Sequence, residues 1–309
     1  MDLVSIVIPT LNRPEPLRRA VASALAQQGA DVGVEVLVVD NSADGNAAAV
    51  VAGLTGPADR PVRYLAAPRP GVANARNAGV AAAAGRWVAF LDDDQEASVG
   101  WVAAHVAAAR ASGADATFGP VEGRAEDGAS MGPFEPYFSR RIERPDADDV
   151  TAIAAYLGTN NSMFDRARCL SDEPPFDPRL NESGGEDSLL LKRLTLAGRR
   201  FGWAAGATVI EWTPERRLTW AYVRKRKFLS GQVRTFTHHM VSPPQWGRIA
   251  FWMAAGAAQS LAAGAAAAAF APIDRDRSQK ALAAAYGGLG KVLWAERFRP
   301  SLYGPGLVS

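Results

Sequence analysis

Four short apolar runs alternate with longer stretches of helix-forming residues over the first 91 positions of the chain. The runs are VSIVIP (4–9), VEVLVVD (34–40), VRYLAA (62–67) and WVAFL (87–91). We predict a strand for each run and helices over residues 14–28 and 73–84. Because the strands are separated by roughly one helix, they predict βαβ crossovers and a mostly parallel, Rossmann-like sheet flanked by helices, an α/β fold.

Polar residues follow these strands and are expected to meet at one edge of the sheet. In open α/β sheets, ligands bind beyond the carboxyl ends of the strands. That edge holds residues 10–13, residues 40–42 and the consecutive aspartates Asp92, Asp93 and Asp94. Adjacent carboxylates repel one another unless a positive charge lies between them, so the three aspartates either face open water or bind a cation.

The second part of the chain has weaker periodicity. Residues 98–112 predict a helix, residues 115–123 a strand and turn, and residues 124–150 a long loop rich in Pro, Asp, Glu and Arg. In GGEDSLLLKRLTLAG (184–198), a turn opens an amphipathic helix. Residues 216–234 then hold seven Lys or Arg and no acid, whereas residues 249–271 hold no charge at all.

Composition narrows the class of protein. The 309 residues can bury a sizeable core, and the formal net charge of +2 is too small to suggest a nucleic-acid partner. The single cysteine, Cys169, excludes an internal disulfide and is typical of a reducing compartment. MDLVSIVIPT carries an acid where a signal peptide would carry basic residues, so we expect a cytoplasmic protein.

Several ordered segments resemble the nucleotide-sugar glycosyltransferases of family 2, which have the GT-A fold. The segments are VSIVIPTLNRPEPLRRAVASAL, VEVLVVDNS, RPGVANARNAG, WVAFLDDD, GGEDSLLLKRL and RKRKFLSGQ. Within the family, the chain is most similar to bacterial enzymes that build exopolysaccharide repeat units on a lipid carrier. The resemblance implies a GT-A domain over residues 1–232, with a nucleotide-binding half (1–97) and an acceptor-binding half (98–232), and a helical C-terminal region over 233–309.

The resemblance implies an inverting hexosyltransferase that moves a sugar from a nucleotide diphosphate sugar, with UDP-sugar preferred, to a glycan or lipid-linked saccharide. It also implies a divalent cation, Mg²⁺ or Mn²⁺, that neutralises the charge growing on the leaving diphosphate. Asp94 and Asp92 are expected to bind this metal, since residues two apart on an extended segment point the same way. Glu211 stands where many relatives have a metal-binding His, and Asp92 and Asp93 also contact the nucleotide.

The resemblance assigns further residues to the donor nucleotide: Pro9, Thr10, Arg13, Asp40, Arg76 and Asn77. Asp40 is expected to accept a hydrogen bond from the base. Its alternative role is that of a strand-end aspartate that caps the turn NSADG. Arg76 is expected to clamp the diphosphate with two donors, although many surface helices carry arginines with no such role.

GGEDSLLLKRL carries the residues that the resemblance makes catalytic. Asp187 is expected to act as general base on the acceptor hydroxyl, with Glu186 beside it against the acceptor. Direct displacement with one such base inverts the anomeric carbon. Without the resemblance, the two acids are favourable charges in the first turn of a helix. In GTNNSMF (158–164), Asn160 and Asn161 either bind sugar hydroxyls or cap a turn.

Two other functions compete with this assignment. A dinucleotide-dependent oxidoreductase is disfavoured because no G-x-G-x-x-G follows the first strand. A non-catalytic sugar- or nucleotide-binding assembly subunit that keeps the fold stays open, although Asp92, Asp94 and Asp187 argue against it.

Three interpretations of the uncharged residues 249–271 also stay open. They predict a spanning helix, a buried hairpin with residues 278–294, or a peripheral membrane helix. We favour docking at the inner face of the cell membrane, with residues 224–227 on anionic head groups and Trp246 and Trp252 at the interface.

Overall fold

The structure is a computed structural model that describes residues 2–54, 56–57, 60–181 and 184–298. Its strands are β1 (Leu3–Thr10), β2 (Gly33–Asp40), β3 (Val62–Ala66), β4 (Trp87–Phe90), β5 (Gln95–Ala97), β6 (Ala116–Phe118), β7 (Val121–Ala125), β8 (Ser162–Asp165), β9 (Phe201–Trp203) and β10 (Val209–Thr213). Its α-helices are α1 (Pro14–Leu25), α2 (Ala47–Ala52), α3 (Val72–Ala82), α4 (Trp101–Ser112), α5 (Arg166–Cys169), α6 (Glu186–Leu196), α7 (Trp220–Met240), α8 (Trp246–Phe270) and α9 (Arg275–Val292). Short 3₁₀ helices cover Gly132–Tyr137, Thr151–Tyr156, Pro178–Leu180, Glu215–Arg217 and Glu296–Phe298.

The central sheet has the strand order β3-β2-β1-β4-β8-β6-β9. Strands β3, β2, β1 and β4 are mutually parallel, whereas β8 is antiparallel to both of its neighbours. The predicted α/β fold with a mostly parallel sheet is therefore confirmed. The four predicted strands are found with ends that differ by no more than one residue. The segment predicted as one strand and turn (115–123) instead gives two strands, β6 and β7, in different sheets.

Two apolar layers enclose this sheet, because successive side chains of a strand point to opposite faces. On β1, Ile6 and Ile8 join the layer that includes α1 and α4, while Val7 joins the layer that includes α3 and α6. Strands buried on both faces are continuous apolar runs, which is why β1, β2 and β4 are visible in the sequence, whereas β3 is a partly buried edge strand.

A second, three-stranded sheet with the order β5-β10-β7 lies beside the carboxyl end of β4. Its middle strand pairs Glu211 with Gln95, the residue that follows the three aspartates. The backbone N–H of Trp212 donates to the carbonyl of Asp94 at 2.9 Å. These contacts fix β10 against the aspartate turn, so that Glu211 is held close to it.

The C-terminal helices pack through glycines. A carbon atom added at Gly290 of α9 would overlap the carbonyl oxygen of Phe228 on α7, and one added at Gly231 would overlap the carbonyl of Gly287. Only glycine permits backbones to approach this closely.

Helix α7 runs across the expected domain boundary at residue 232, so that division stays a prediction. Residues 299–309 of the expected C-terminal region lie outside the described part of the chain.

Helix α8 forms the expected hairpin with α9, but it is not a buried helix. Gln259 and Ser260 of α8 donate to the carbonyls of Ala284 and Ala285 on α9. Only 11% of the most apolar window of α8 is buried, and within the described residues it is the one helix long and apolar enough to cross a membrane by length and composition.

Candidate active site

The three aspartates form a turn between β4 and β5 and are held by groups from β1 and α1. Thr10 Oγ1 donates to Asp93 Oδ2 at 2.8 Å. Arg13 Nη1 donates to Asp93 Oδ1 at 2.8 Å and to Asp94 Oδ2 at 3.0 Å. Because β1 pairs with β4 in the sheet, their ends bring these groups together. The repulsion between like charges is therefore relieved by a guanidinium group.

Two further arginines complete this edge. Arg217, in a 3₁₀ helix after β10, donates from Nη1 to Asp94 Oδ2 at 3.4 Å. Arg76 of α3 donates from Nη2 to Asp92 Oδ1 at 3.4 Å and also pairs with Glu186. We call Asp92, Asp93, Asp94 and Glu211, with these arginines and Arg13, the donor edge. Each aspartate of the turn thus has an arginine partner.

Burial keeps several of these acids easier to protonate than usual. Burial raises the pKa of Asp93 to about 6 against the opposing pull of Arg13. Burial, with repulsion from Asp94, raises the pKa of Glu211 to about 7. Burial also raises the pKa of Asp92, partly offset by Arg76. The arginines of the donor edge therefore do not fully offset the cost of burying its carboxylates.

The donor edge has the chemistry of a divalent-metal site. Asp92, Asp94 and Glu211 supply the hard carboxylate oxygens that Mg²⁺ and Mn²⁺ prefer, so the donor set fits in kind. As placed, no three His, Cys, Asp or Glu side chains of the described residues are gathered closely enough to hold a metal ion. Arg13 and Arg217 instead contact the Asp94 oxygen, so an ion there would have to displace a guanidinium group from Asp94.

Glu186 and Asp187 begin α6 after two glycines with left-handed φ values of 71° and 94°. This turn sends the adjacent acids into different surroundings. Glu186 is buried on Arg76, and burial raises its pKa to about 7 although Arg76 and a backbone hydrogen bond oppose the rise. Glu186 is not among the residues that line the cavity beside Asp187, so its expected role against the acceptor stays a prediction.

Asp187 is half-buried and faces a cavity of about 640 Å³. Its Oδ1 accepts hydrogen bonds from the backbone N–H of Ser188 at 2.6 Å and from the Ser188 hydroxyl at 3.3 Å. Its Oδ2 lies beside Gly158, 3.1 Å from where a Cβ would stand. Asp187 forms no ion pair with any described residue, unlike Glu186 and the three aspartates.

Arg140 is the site residue that sequence reasoning missed. Its guanidinium donates to the carbonyls of Gly119, Asn160 and Asn161 at 2.7–3.0 Å. Burial lowers its pKa to about 10, and the nearby charges of Glu211, Asp187 and Asp92 oppose that fall. Arg140 is therefore a buried cation between the donor edge and Asp187. The segment around it lacks periodicity, and no pattern in the sequence marks it.

Two residues expected at the nucleotide are occupied elsewhere. Asp40 is fully buried, and its carboxylate accepts from the N–H of Ser42 and of Ala47 at 2.9 Å each and from the Tyr64 hydroxyl at 3.2 Å. This is the turn-capping arrangement, so a contact with the base stays a prediction. The Asn77 amide donates to the carbonyl of Phe176 and accepts a hydrogen bond from its backbone N–H. Pro9 lies half-buried in β1.

The two asparagines of GTNNSMF have different environments. Asn161 is fully buried, where its Oδ1 accepts from Trp101 at 2.7 Å and lies 3.0 Å from His105 Nε2. A role in binding sugar is therefore wrong for Asn161 in this structure. Asn160 is half-buried, and its Nδ2 lies 3.5 Å from Glu211 Oε2, between the donor edge and the cavity.

Comparisons with known proteins find related sequences. The sequence model described as "Glycosyl transferase family 2" matches residues 5–167, just over half of the chain. The "Succinoglycan biosynthesis protein ExoM" of Rhizobium meliloti (strain 1021) is 30% identical over 231 residues, which cover 74% of this chain and 73% of that protein. ExoO of the same strain is 30% identical over 210 residues, and the match spans 64% of this chain and 57% of ExoO.

Solved structures of S. aureus TarS share the fold. TarS 1–349 in complex with UDP superposes with a TM-score of 0.53 at 16% sequence identity, covering 94% of this chain and 90% of that one. A longer TarS chain gives a TM-score of 0.50, and this chain spans 42% of it. Identities this low show similarity of fold and carry no assignment of ligand or acceptor to this chain.

Proposed function

Since the chain belongs to family 2 of the glycosyltransferases and is a glycosyltransferase with the GT-A fold, we propose that it transfers one sugar from a nucleoside diphosphate sugar to a saccharide or lipid-linked saccharide, with inversion. The observation that carries this proposal is the position of Asp187. Its carboxylate forms no ion pair with a described residue, although the buried Arg140 is close enough to interact with its charge, and it lies between the donor edge and a cavity.

Asp187 is the general base of this proposal. An acceptor hydroxyl in the cavity loses its proton to the Asp187 carboxylate while its oxygen attacks the anomeric carbon of the donor sugar. The bond from that carbon to the diphosphate oxygen breaks on the opposite side, and the diphosphate leaves with the bonding electrons. An α-linked donor then gives a β-linked product, and no covalent sugar intermediate is required.

The donor edge binds the nucleotide in this proposal. UDP is the proposed nucleotide, supported by the UDP bound in a neighbour of the same fold. Arg13 and Arg76 become available to the diphosphate when they exchange part of their contacts with the aspartates for phosphate oxygens. Asp40 contacts the base only if its turn opens.

A divalent Mg²⁺ or Mn²⁺ ion would be held by Asp94, Asp92 and Glu211. When bound, it would supply positive charge that stabilises the leaving diphosphate. Arg140 and Asn160 lie between this edge and Asp187. Glu186 acts on the donor side by orienting Arg76, and it is a positioning residue here.

We also propose that the chain works at the inner face of the cell membrane. The support is α8, whose exposed side chains include Trp246, Phe251 and Leu261. The basic residues 224–227 are the proposed contacts with anionic lipids. Trp252 does not fit its expected place at the interface, because it donates to His238 at 3.2 Å and lines the cavity.

Ligand binding tests the donor assignment. A panel of nucleotide sugars is screened for a rise in melting temperature with Mn²⁺, because a ligand that binds only the folded chain stabilises it. The proposal expects a shift with one or more UDP-sugars, followed by release of UDP. Binding of a UDP-sugar without turnover across a broad panel of acceptors would instead support the alternative, a non-catalytic sugar- or nucleotide-binding assembly subunit. No shift with any nucleotide would reject both functions.

A further inference from the structure

The cavity that begins at Asp187 extends away from the donor edge, between α6, α7, the 3₁₀ helix Thr151–Tyr156 and the start of α8. Four cations line it, of which Arg226 acts on Glu211 of the donor edge. The other three come from three different helices, and we call them the cationic cluster: Lys192 of α6, Arg234 of α7 and Arg248 of α8. Lys192 stands five residues after Asp187, about 7.5 Å further along the helix axis. This separation leaves room for a short saccharide between Asp187 and the cluster.

The described part of the chain supplies little negative charge to this cavity. Asp187 is the one Asp or Glu among its described lining residues. Within the described ranges, Lys192, Arg234 and Arg248 form no ion pair, whereas most arginines of the donor edge do. The cluster therefore has unbalanced positive charge inside a concave, partly buried site.

One cation of the cluster, Arg234, is held in place. The Arg234 guanidinium donates to the carbonyl of Ala155 at 3.1 Å and lies 4.5 Å from the ring centre of Tyr156 and 5.3 Å from that of Trp252. These contacts fix the guanidinium without neutralising it. A rigid, unneutralised cation binds an anion with little loss of side-chain freedom.

The cations also repel one another. Burial lowers the pKa of Lys192, and the charge of Arg248 lowers it further. His238, on the same wall, has its pKa lowered by burial and by all three cations of the cluster. An anion placed among them would relieve this repulsion.

We propose that the cationic cluster seats a phosphate or diphosphate group of the acceptor, while the acceptor's saccharide end reaches Asp187. This inference rests on the proposed function. Phosphate fits because it offers several oxygens and up to two charges to a site with three cations and the hydroxyls of Thr195 and Thr237. Arg248 lies on α8, the exposed apolar helix, so the phosphate of a lipid-linked acceptor would have its tail next to that helix.

Binding of isoprenoid and phosphate probes to the full chain tests this assignment. Titration calorimetry measures farnesyl diphosphate, farnesol and inorganic pyrophosphate in the presence of saturating UDP and Mn²⁺, which block the donor edge. We expect farnesyl diphosphate to bind, and Arg248→Gln or Lys192→Gln to weaken it about tenfold or more. Arg248→Lys should retain most of the affinity, and Lys280→Gln, an exposed change on α9 outside the cavity, should leave it unchanged.

The three probes distinguish a free phosphate from a lipid-linked phosphate. The UDP control distinguishes a failure of this inference from a failure of the proposed function. If pyrophosphate binds as tightly as farnesyl diphosphate, the cluster binds phosphate without recognising a lipid. If pyrophosphate binds more weakly, the cluster binds a lipid-linked phosphate. Farnesol binding equal to farnesyl diphosphate, or Gln variants that bind as tightly as the wild type, would overturn the inference. UDP affinity of each variant serves as the folding control. If UDP does not bind the wild type, the result rejects the proposed function.

Discussion

The donor edge and the cationic cluster lie on opposite sides of Asp187 and differ in whether their charges have partners of opposite sign. At the donor edge, arginines contact each aspartate of the turn at 2.8–3.4 Å. In the cavity, Lys192, Arg234 and Arg248 have no carboxylate partner in the described part of the chain. The fold has paired one set of charges internally and left the other set to a ligand.

This difference has a physical consequence for binding. A ligand at the donor edge must exchange contacts that already exist, so affinity there depends on rearranging Arg13 and on additional positive charge. A ligand at the cationic cluster meets charges without described counter-charges, so affinity there depends directly on each cation.

The largest effect is expected at the donor edge. Asp94→Ala should abolish transfer, as should excess chelator with the wild type, because both remove the proposed metal contact. The loss should appear as lost affinity for metal and UDP-sugar in a chain that still folds, with a lower melting temperature because Arg13 and Arg217 lose a buried partner. Asp172→Ala, an exposed aspartate outside the edge, is the matched control. Full turnover in excess chelator would show that the arginines alone neutralise the diphosphate.

Asp187→Asn should lower the rate of the chemical step by about 10²- to 10⁴-fold, the usual contribution of a positioned base. The thermal shift with UDP-sugar should remain, since Asp187 lies on the acceptor side. Glu186→Gln should cost less, because Glu186 contacts Arg76 and not the cavity. A larger loss for Glu186→Gln than for Asp187→Asn would reverse the two roles.

His105 provides a stability prediction beneath the donor edge. Burial lowers its pKa from 6.5 to about 4, where its ring nitrogens contact Thr117 and Asn161. Below pH 6.5 the unfolded chain takes up a proton that the folded chain does not accept until about pH 4, so stability is full above pH 6.5 and falls as the pH approaches 4. The loss should reach about 3 kcal/mol.

Denaturant unfolding of the wild type and His105→Gln at several pH values isolates this contribution. The variant removes the titrating ring, so the difference between the two free energies of unfolding should change between pH 7 and pH 4. Parallel curves would mean that folding leaves the pKa of His105 unchanged. Other titrating groups contribute equally to both proteins and cancel in the difference.

The smallest effect concerns the membrane. Each basic residue near an anionic surface contributes about 1 kcal/mol to docking. High salt should therefore release the full-length protein from liposomes that contain anionic lipid. Lys225→Ala with Lys227→Ala, which spares the cavity-lining Arg226, should lower the salt needed. Release by detergent alone would mean that α8 inserts deeply. An absence of any affinity for anionic liposomes would reject both membrane interpretations.

Sequence reasoning succeeds where function and fold depend on local pattern. The buried strands, the aspartate turn and the family resemblance all come from contiguous runs, and the fold class, the family and the glycosyltransferase activity are confirmed. It fails where a residue's role depends on distant neighbours. Arg140 gains its role from the carbonyls of residues 119, 160 and 161, and Asp40 loses its exposure to Ala47 and Tyr64.

The cavity could not be predicted for the same reason. Its cations come from three helices that are separated in the sequence, and the basic run 216–234 suggested a membrane contact because a run of charges is normally on a solvated surface. Helix α7 packs against α9 through Gly231 and Gly290, and Arg226 and Arg234 of that run line the cavity. Glycines in a helical pattern do not reveal their partners.

The anomeric configuration of the first product tests the central claim most directly. Wild-type protein is incubated with a UDP-α-sugar that shifts its melting temperature, with Mn²⁺ and water as the acceptor, and the released sugar is observed by NMR before mutarotation. With Asp187 as the general base of a single displacement, the account predicts release of UDP and the β anomer first, and loss of both in Asp187→Asn. Initial release of the α anomer, or UDP-sugar binding with no release of UDP to water or to any acceptor, would contradict it.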